Sequence, residues 1–325
     1  MPVEIFSGDE ELARIANVAY VFPGQGSQIP MMALDLYENI PAAREVIEEA
    51  EGVIGRNLVS LMLCGQEEEL SRTENAQPLI LIASLANLVG YFDRYPPLRK
   101  RLPAVAFGHS LGELTALVIA GVLSYKDALK IAKLRGKIMA CAPVGEMVAV
   151  RNISQEELEF ILDKFQVDLG VINSDRQIVL SGDSQAMKRA VAYMESKKIK
   201  QRKLLISIAS HSRVMQGAQQ EFALALDAFT FHDARIPIIS VFEAQKLKAG
   251  SEIKTAFIEQ MTHPLDFPRM LSVARGLGAD TFVEFGPKGL SQGGIVTGNI
   301  HELDSSLTAF NIRDLSTIRD NPLSF

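Results

Sequence analysis

The chain has 325 residues, enough for one large α/β domain, or a large and a small one, around a substantial core. Hydrophobic residues make up 47% and charged residues 22%, a globular balance that excludes large-scale disorder. The 33 basic and 39 acidic residues leave a net charge of -6, which argues against a nucleic-acid partner but not against a local cationic pocket.

The N-terminus is acidic and lacks the cationic start and apolar run of a signal peptide. No apolar stretch reads as long enough to span a membrane, so a cytoplasmic location is expected. Cys64 and Cys141 show no metal-ligand or redox spacing; two buried thiols in a reducing compartment are expected.

In chain order, a short buried strand is predicted at 18–22, ending in the turn-rich Pro23-Gly24-Gln25-Gly26-Ser27-Gln28. A mainly helical region follows to about residue 95, with an apolar helix at 78–92. A strand at 102–107 runs into the glycines around Ser110, followed by helices at 111–119 and 125–141. Next come a strand at 147–150 and a helix at 154–165, opened by a capping box of Ser154 and Glu157. Strands at 169–172 and 178–180, a helix at 184–196 and a strand at 203–208 follow. This order, strand-helix-strand-strand-helix-strand, is the ferredoxin-like unit, and it predicts a small subdomain at 145–208 inserted in a larger one. Helices at 213–226, 252–261 and 268–277, with strands at 236–242 and 281–285, complete the larger part, residues 18–144 and 209–300. Residues 301–325 are expected to form a peripheral tail.

Gly108-His109-Ser110-Leu111-Gly112, between a strand and a helix, has the pattern of a nucleophile elbow. A sharp turn lifts the serine oxygen out of the sheet, flanking glycines let strand and helix approach, and the next backbone N–H, of Leu111, can meet an oxyanion. The pattern points to acyl transfer through Ser110. Among five histidines, His109 adjoins the nucleophile and should point away into a structural hydrogen bond. His211, just past a predicted strand, is the best placed base, although position alone leaves a structural role open. The alternate glycines of Gly24-Gln25-Gly26 suit either close approach to a ligand or an ordinary tight turn; a phosphate loop is excluded, since Gly-Lys-Ser/Thr is missing. Arg135, in a basic helical stretch, is either solvated or turned inward, where its planar fork could clamp a carboxylate.

Together these segments resemble the malonyl-CoA:acyl-carrier-protein transacylase family over about residues 18–300. The resemblance rests on the segment 23–28, Gly108-His109-Ser110-Leu111-Gly112-Glu113, Arg135-Gly136, and Asn173-Ser174 with Gln177. It extends through Ser210-His211, Gln260 ahead of Pro264, and Glu284-Phe285-Gly286-Pro287. It implies a hydrolase-like α/β core with a parallel sheet and an inserted ferredoxin-like subdomain, and assigns roles to the residues. Ser110 is acylated, His211 is base and then acid, and Gln25 and Leu111 give oxyanion N–H groups. Gln260 orients His211 through its main-chain carbonyl, and Arg135, Ser210 and Gln28 form the substrate site, with Arg135 on the malonyl carboxylate. The implied reaction is ping-pong, from malonyl-CoA to Ser110 and then to the phosphopantetheine thiol of an acyl carrier protein. No cofactor or metal, no membrane and a monomer are expected.

Two features depart from common family patterns. Gly286-Pro287-Lys288-Gly289 stands where Gly-Pro-Gly is frequent, and Ile208-Ala209-Ser210-His211 matches neither His-Ala-Phe-His, tied to malonyl, nor Tyr-Ala-Ser-His, tied to methylmalonyl. Leu111 favours malonyl. Without ketosynthase or carrier segments, a free-standing enzyme is expected, serving either fatty-acid or polyketide synthesis; His211-Ser212-Arg213 is similar to the polyketide group. The rival readings are a carrier-directed acyl hydrolase, a non-catalytic carrier-binding module and a plain esterase.

Overall fold

The computed structural model describes residues 5–6, 12–54, 60–62, 65–206, 208–289 and 294–323. Its strands are β1 (Ala13–Phe22), β2 (Arg101–Gly108), β3 (Gly145–Arg151), β4 (Asp168–Ser174), β5 (Gln177–Asp183) and β6 (Lys200–Lys203). They continue with β7 (Ile238–Ile239), β8 (Lys246–Leu247), β9 (Leu265–Asp266), β10 (Thr281–Phe285) and β11 (Thr308–Ile312).

The larger sheet has the order β11-β10-β1-β2-β7-β8, parallel except at β8. Val18 to Phe22 are at most 2% exposed, the unbroken apolar run that a parallel strand covered on both faces needs. The helix Thr73–Arg94 is buried almost throughout. It is long and apolar enough to cross a membrane by those two measures, against the expectation that no stretch reaches that length. Polar Asn75, Gln77, Ser84 and Asn87 break up the run in the sequence, and its apolar stretch lies inside the fold. Helix Tyr125–Ala140 packs against its start, where a Cβ on Gly136 would press on the Glu74 backbone. That close approach sets the position of Arg135.

The smaller sheet has the order β6-β3-β5-β4, with all these neighbours antiparallel, which is the ferredoxin-like arrangement. Alternation along β3 divides its side chains between two cores. Val148 and Val150 meet Ile161 of helix Gln155–Phe165 and Met187 of helix Ser184–Ser196. Met147 and Ala149 face Phe107 of β2 and Phe267 instead. A fifth strand joins from the larger part: β9 pairs in parallel with β4, Leu265 beside Val171 and Asp266 beside Ile172. The fold is thus a hydrolase-like α/β core carrying an inserted βαββαβ unit.

Four expectations need correction. The strand predicted at 203–208 is β6 at Lys200–Lys203; the apolar run beyond it misled, since Leu205 is 70% exposed and the chain departs toward His211. Ser207 lies outside the described residues. Only Ile238–Ile239 of the strand at 236–242 pairs in the sheet, although the run is apolar because it is buried. The tail is no peripheral appendage: β11 extends the larger sheet, and Ile312 and Ile318 enter the core. The Tyr91 hydroxyl donates to the Asn321 carbonyl at 2.8 Å and accepts from Leu323 N–H at 3.0 Å. Cys141, expected buried, is exposed, because it caps the end of helix Tyr125–Ala140 where the chain turns; Cys64 lies outside the described residues.

Candidate active site

β2 ends at Gly108 and helix Gly112–Ile119 begins four residues on, leaving room for one sharp turn. Ser110 sits at its apex with φ 52°, a left-handed conformation that a non-glycine residue holds only at a cost of roughly 1–3 kcal/mol. A Cβ on Gly108 would overlap the Gly112 backbone, and one on Gly112 would overlap the Phe22 carbonyl at the end of β1. The His109 N–H donates to that same carbonyl at 2.9 Å, fixing the elbow to β1. Gly24 lies so close to the His109 carbonyl that it too has no space for a Cβ. The main chain of Gln25 is therefore held alongside the elbow, and Leu111 heads the first turn of the helix.

His211 is 2% exposed and reaches Ser110 from the other side of the insertion. Its Nδ1 lies 2.7 Å from the Gln260 carbonyl and 3.1 Å from that of His263. Carbonyls only accept, so Nδ1 carries the hydrogen and Nε2 presents a lone pair. The Ser110 hydroxyl, 2.8 Å away, donates to it. His211 also has a left-handed backbone, φ 59°, pinned by its N–H donating to Met261 O at 2.9 Å. Ser110 and His211 thus both occupy strained conformations that the surrounding packing imposes.

The electrostatics favour a neutral imidazole. Burial above all, then the charge of Arg135 and that of His109, hold the His211 pKa down at about 4. Arg135 is itself 2% exposed. Burial lowers it to about 10, with Glu113 opposing, so it stays cationic at neutral pH. Its Nη1 donates to Gln77 Oε1 at 3.0 Å, while Nε and Nη2 have no partner among the described residues. The inward orientation, open in the sequence, is therefore the one adopted. Gln77 in turn donates to the Thr73 hydroxyl at 2.9 Å, and that hydroxyl to Gln25 Oε1 at 3.0 Å. A buried polar chain thus joins the guanidinium to the loop beside the elbow. The sequence reading missed Gln77 and Thr73; polar residues on an otherwise apolar helix were the available signal.

The remaining residues fall into place around this centre. His109 points away from Ser110, as expected, with Nε2 3.1 Å from Asn173 Oδ1. Asn173 Oδ1 also accepts from Asn299 Nδ2 at 3.0 Å, so the elbow, β4 and helix Ile295–Leu303 meet at one atom. Ser174 and Gln177 engage Glu302 and Arg151 instead of the dyad. Gln28 closes its own turn, accepting from Gly26 N–H at 2.8 Å and donating to Ser71 Oγ at 3.3 Å. Ser210 accepts at its carbonyl from Ser181 Oγ at 2.7 Å, tying the His211 loop to β5. Gly286, with φ 141°, and Gly289, with φ 62° against the Gly26 carbonyl, accommodate the extra Lys288. Buried Glu284 accepts from Val296 and Thr297 N–H, capping helix Ile295–Leu303.

Comparison with known proteins agrees with this geometry. Residues 19–306 match the acyl transferase domain. The malonyl CoA-acyl carrier protein transacylase of Bacillus subtilis strain 168 is 34% identical over 313 residues, 94% of this chain and 96% of that protein. The crystal structure of a Xanthomonas oryzae malonyl-CoA:acyl carrier protein transacylase superposes with a TM-score of 0.86 at 34% identity, covering 94% and 98% of the two chains. A malonyl-transacylase solved in complex with its type II PKS acyl-carrier protein gives 0.85 at 28% identity, covering 94% and 100%. The chain belongs to the acyl transferase family, among the malonyl-CoA:acyl-carrier-protein transacylases.

Proposed function

We propose that this chain transfers a malonyl group from malonyl-CoA to the phosphopantetheine thiol of an acyl carrier protein through a malonyl-Ser110 ester. The carrying observation is the Ser110–His211 contact at 2.8 Å beside a buried Arg135 whose Nε and Nη2 are unpaired. His211 takes the hydroxyl proton as Ser110 attacks the thioester carbonyl. The N–H groups of Gln25 and Leu111 hold the resulting oxyanion, and His211 returns the proton to the departing CoA sulfur. The carrier thiol then repeats the cycle on the ester. Main-chain carbonyls, chiefly that of Gln260, take the place of an acidic triad member.

Arg135 selects the cargo. A buried guanidinium with its forked edge free is incompletely satisfied, and a carboxylate completes it with two charge-assisted bonds. Ser210 and Gln28 border the acyl site as secondary contacts. The reaction as written needs no cofactor or metal. We place the enzyme in the cytoplasm as a monomer supplying fatty-acid or polyketide assembly, with residues 18–144 and 209–300 as catalytic domain and 145–208 as subdomain.

The test is intact-protein mass spectrometry after mixing with malonyl-, methylmalonyl- or acetyl-CoA, followed by a chase with carrier protein. Malonyl addition at Ser110, absent in Ser110→Ala and passed to the carrier, is expected. Release of the acyl group to water in the presence of carrier would instead identify a hydrolase.

A further inference from the structure

Glu113 is a buried carboxyl beside the dyad that the reaction above does not use. It is fully buried, one turn beyond the nucleophile, and its N–H donates to the Ser110 carbonyl at 3.0 Å. Its Oε2 accepts from Gln260 Nε2 at 2.6 Å and from Val241 N–H at 3.4 Å, while Oε1 has no partner among the described residues. A carboxyl so placed is expensive, and a core that needed only volume would hold an apolar residue there.

What the Glu113 bond does follows from the position of Gln260. That residue caps the C-terminus of helix Gly250–Glu259, where carbonyls lose their intrahelical donors and the direction of the chain is free to change. On one side its N–H is held by Ala256 O at 3.1 Å. Its carbonyl faces His211 Nδ1 at 2.7 Å, and its side chain is gripped only by Glu113. We propose that Glu113 is a positioning residue for the catalytic base: by gripping the Gln260 side chain it aims the Gln260 carbonyl at His211. The elbow and the first helical turn that follows it then carry the nucleophile and the brace of its base, joined by the Glu113 N–H to the Ser110 carbonyl, so the two keep their alignment together. The inference rests on the reading of His211 as base.

Glu113 performs this as a hydrogen-bond acceptor rather than as a buried anion. Burial raises its carboxyl to about 8, against the Val241 N–H and the Arg135 charge, so it is largely neutral at pH 7. The unpartnered Oε1 leaves a place for that proton. Glu113→Gln therefore preserves the acceptor, whereas Glu113→Leu removes it and Gln260→Ala removes its donor while keeping the main-chain carbonyl.

The experiment is rapid-quench measurement of malonyl loading on these variants and on the Glu113→Leu/Gln260→Ala double variant. Glu113→Leu and Gln260→Ala are each expected to slow loading about 10- to 100-fold, the usual effect of misplacing a reacting group by under an ångström. Half-saturating malonyl-CoA and the malonyl-over-acetyl preference should stay within about threefold. The double variant should be no slower than the worse single one, because both remove one bond. Glu113→Gln should retain the wild-type rate within about threefold, and the His211 Nδ1 proton resonance should shift in Glu113→Leu but not in Glu113→Gln. Wild-type loading in Gln260→Ala, multiplicative defects, or a change in acyl preference alone would overturn the proposal; the last would assign Glu113 to Arg135. Gln260→Ala carries the test even if Glu113→Leu fails to fold. If Ser110→Ala and His211→Ala abolish loading while these variants do not, only this inference fails; if His211→Ala loads normally, the underlying reading fails.

Discussion

Replacing Arg135 by Ala removes a cation whose surroundings fix what its loss does. Nη1 is spent on Gln77, so Nε and Nη2 remain for the substrate, two parallel donors matched to one carboxylate. Each charge-assisted bond is worth roughly 1.5–3 kcal/mol, so the variant forfeits about 3–6 kcal/mol toward malonyl. At about 1.4 kcal/mol per decade, kcat/KM for malonyl loading falls by about a hundredfold to about ten-thousandfold. Acetyl-CoA makes neither bond, and its loading should hold or rise, because the site no longer contains an unsatisfied charge. Arg135→Lys keeps the charge but loses both the fork and the Gln77 bond, and should fall between the two. The assay is time-resolved intact mass of the acyl-enzyme with the two donors in competition. Malonyl loading by Arg135→Ala within about threefold of the parent, at unchanged preference, would refute the clamp.

Four further outcomes follow from the geometry. Gly112→Ala drives a Cβ into the Phe22 carbonyl, a backbone atom that cannot swing aside, and should lower unfolding free energy by about 3 kcal/mol; an unchanged urea midpoint would contradict this. His211 is active when unprotonated and its pKa is depressed to about 4, so its loading rate should hold from pH 7 to pH 5 and drop only on approach to pH 4; a limb near 6.5 would be contrary. The same depression means that stability present above pH 6.5 is lost as the pH falls to about 4, by roughly 3 kcal/mol, a difference that His211→Gln should remove in paired urea titrations. Tyr91→Phe deletes the hydroxyl that holds Asn321 and Leu323, and should cost about 1–2 kcal/mol with faster amide exchange in the tail.

The elements that the sequence disclosed best are those whose periodicity and punctuation agree. Helix Ser184–Ser196 and β10 match their predicted bounds, and the elbow around Ser110 was legible because its glycines mark a turn that tolerates no Cβ. What stayed hidden is main-chain or long-range in origin. The tail is short and polar, yet its edge strand β11 is recruited by β10, an effect of pairing and not of local propensity. His263 contributes a carbonyl to His211, and a carbonyl leaves no trace in residue type. The orientation of Arg135 depends on Gly136 allowing two helices together and on Gln77 across that contact, a pair separated by 58 residues.

With His211 as the proposed base, strand β9 gives the inserted unit a part in its chemistry. Within seven residues the chain supplies the Gln260 carbonyl, the His263 carbonyl and then the two residues that pair with β4. The Ser210 carbonyl is fastened to β5 by the Ser181 hydroxyl, so the segment leading to the imidazole and the segment that faces its Nδ1 both tie to the small sheet. The base therefore hangs between two anchors on a module that contributes no nucleophile. Anything that leans on that module pulls on the proton acceptor. An insertion usually counted as decoration on a hydrolase scaffold is, in this molecule, the mount on which the base is set.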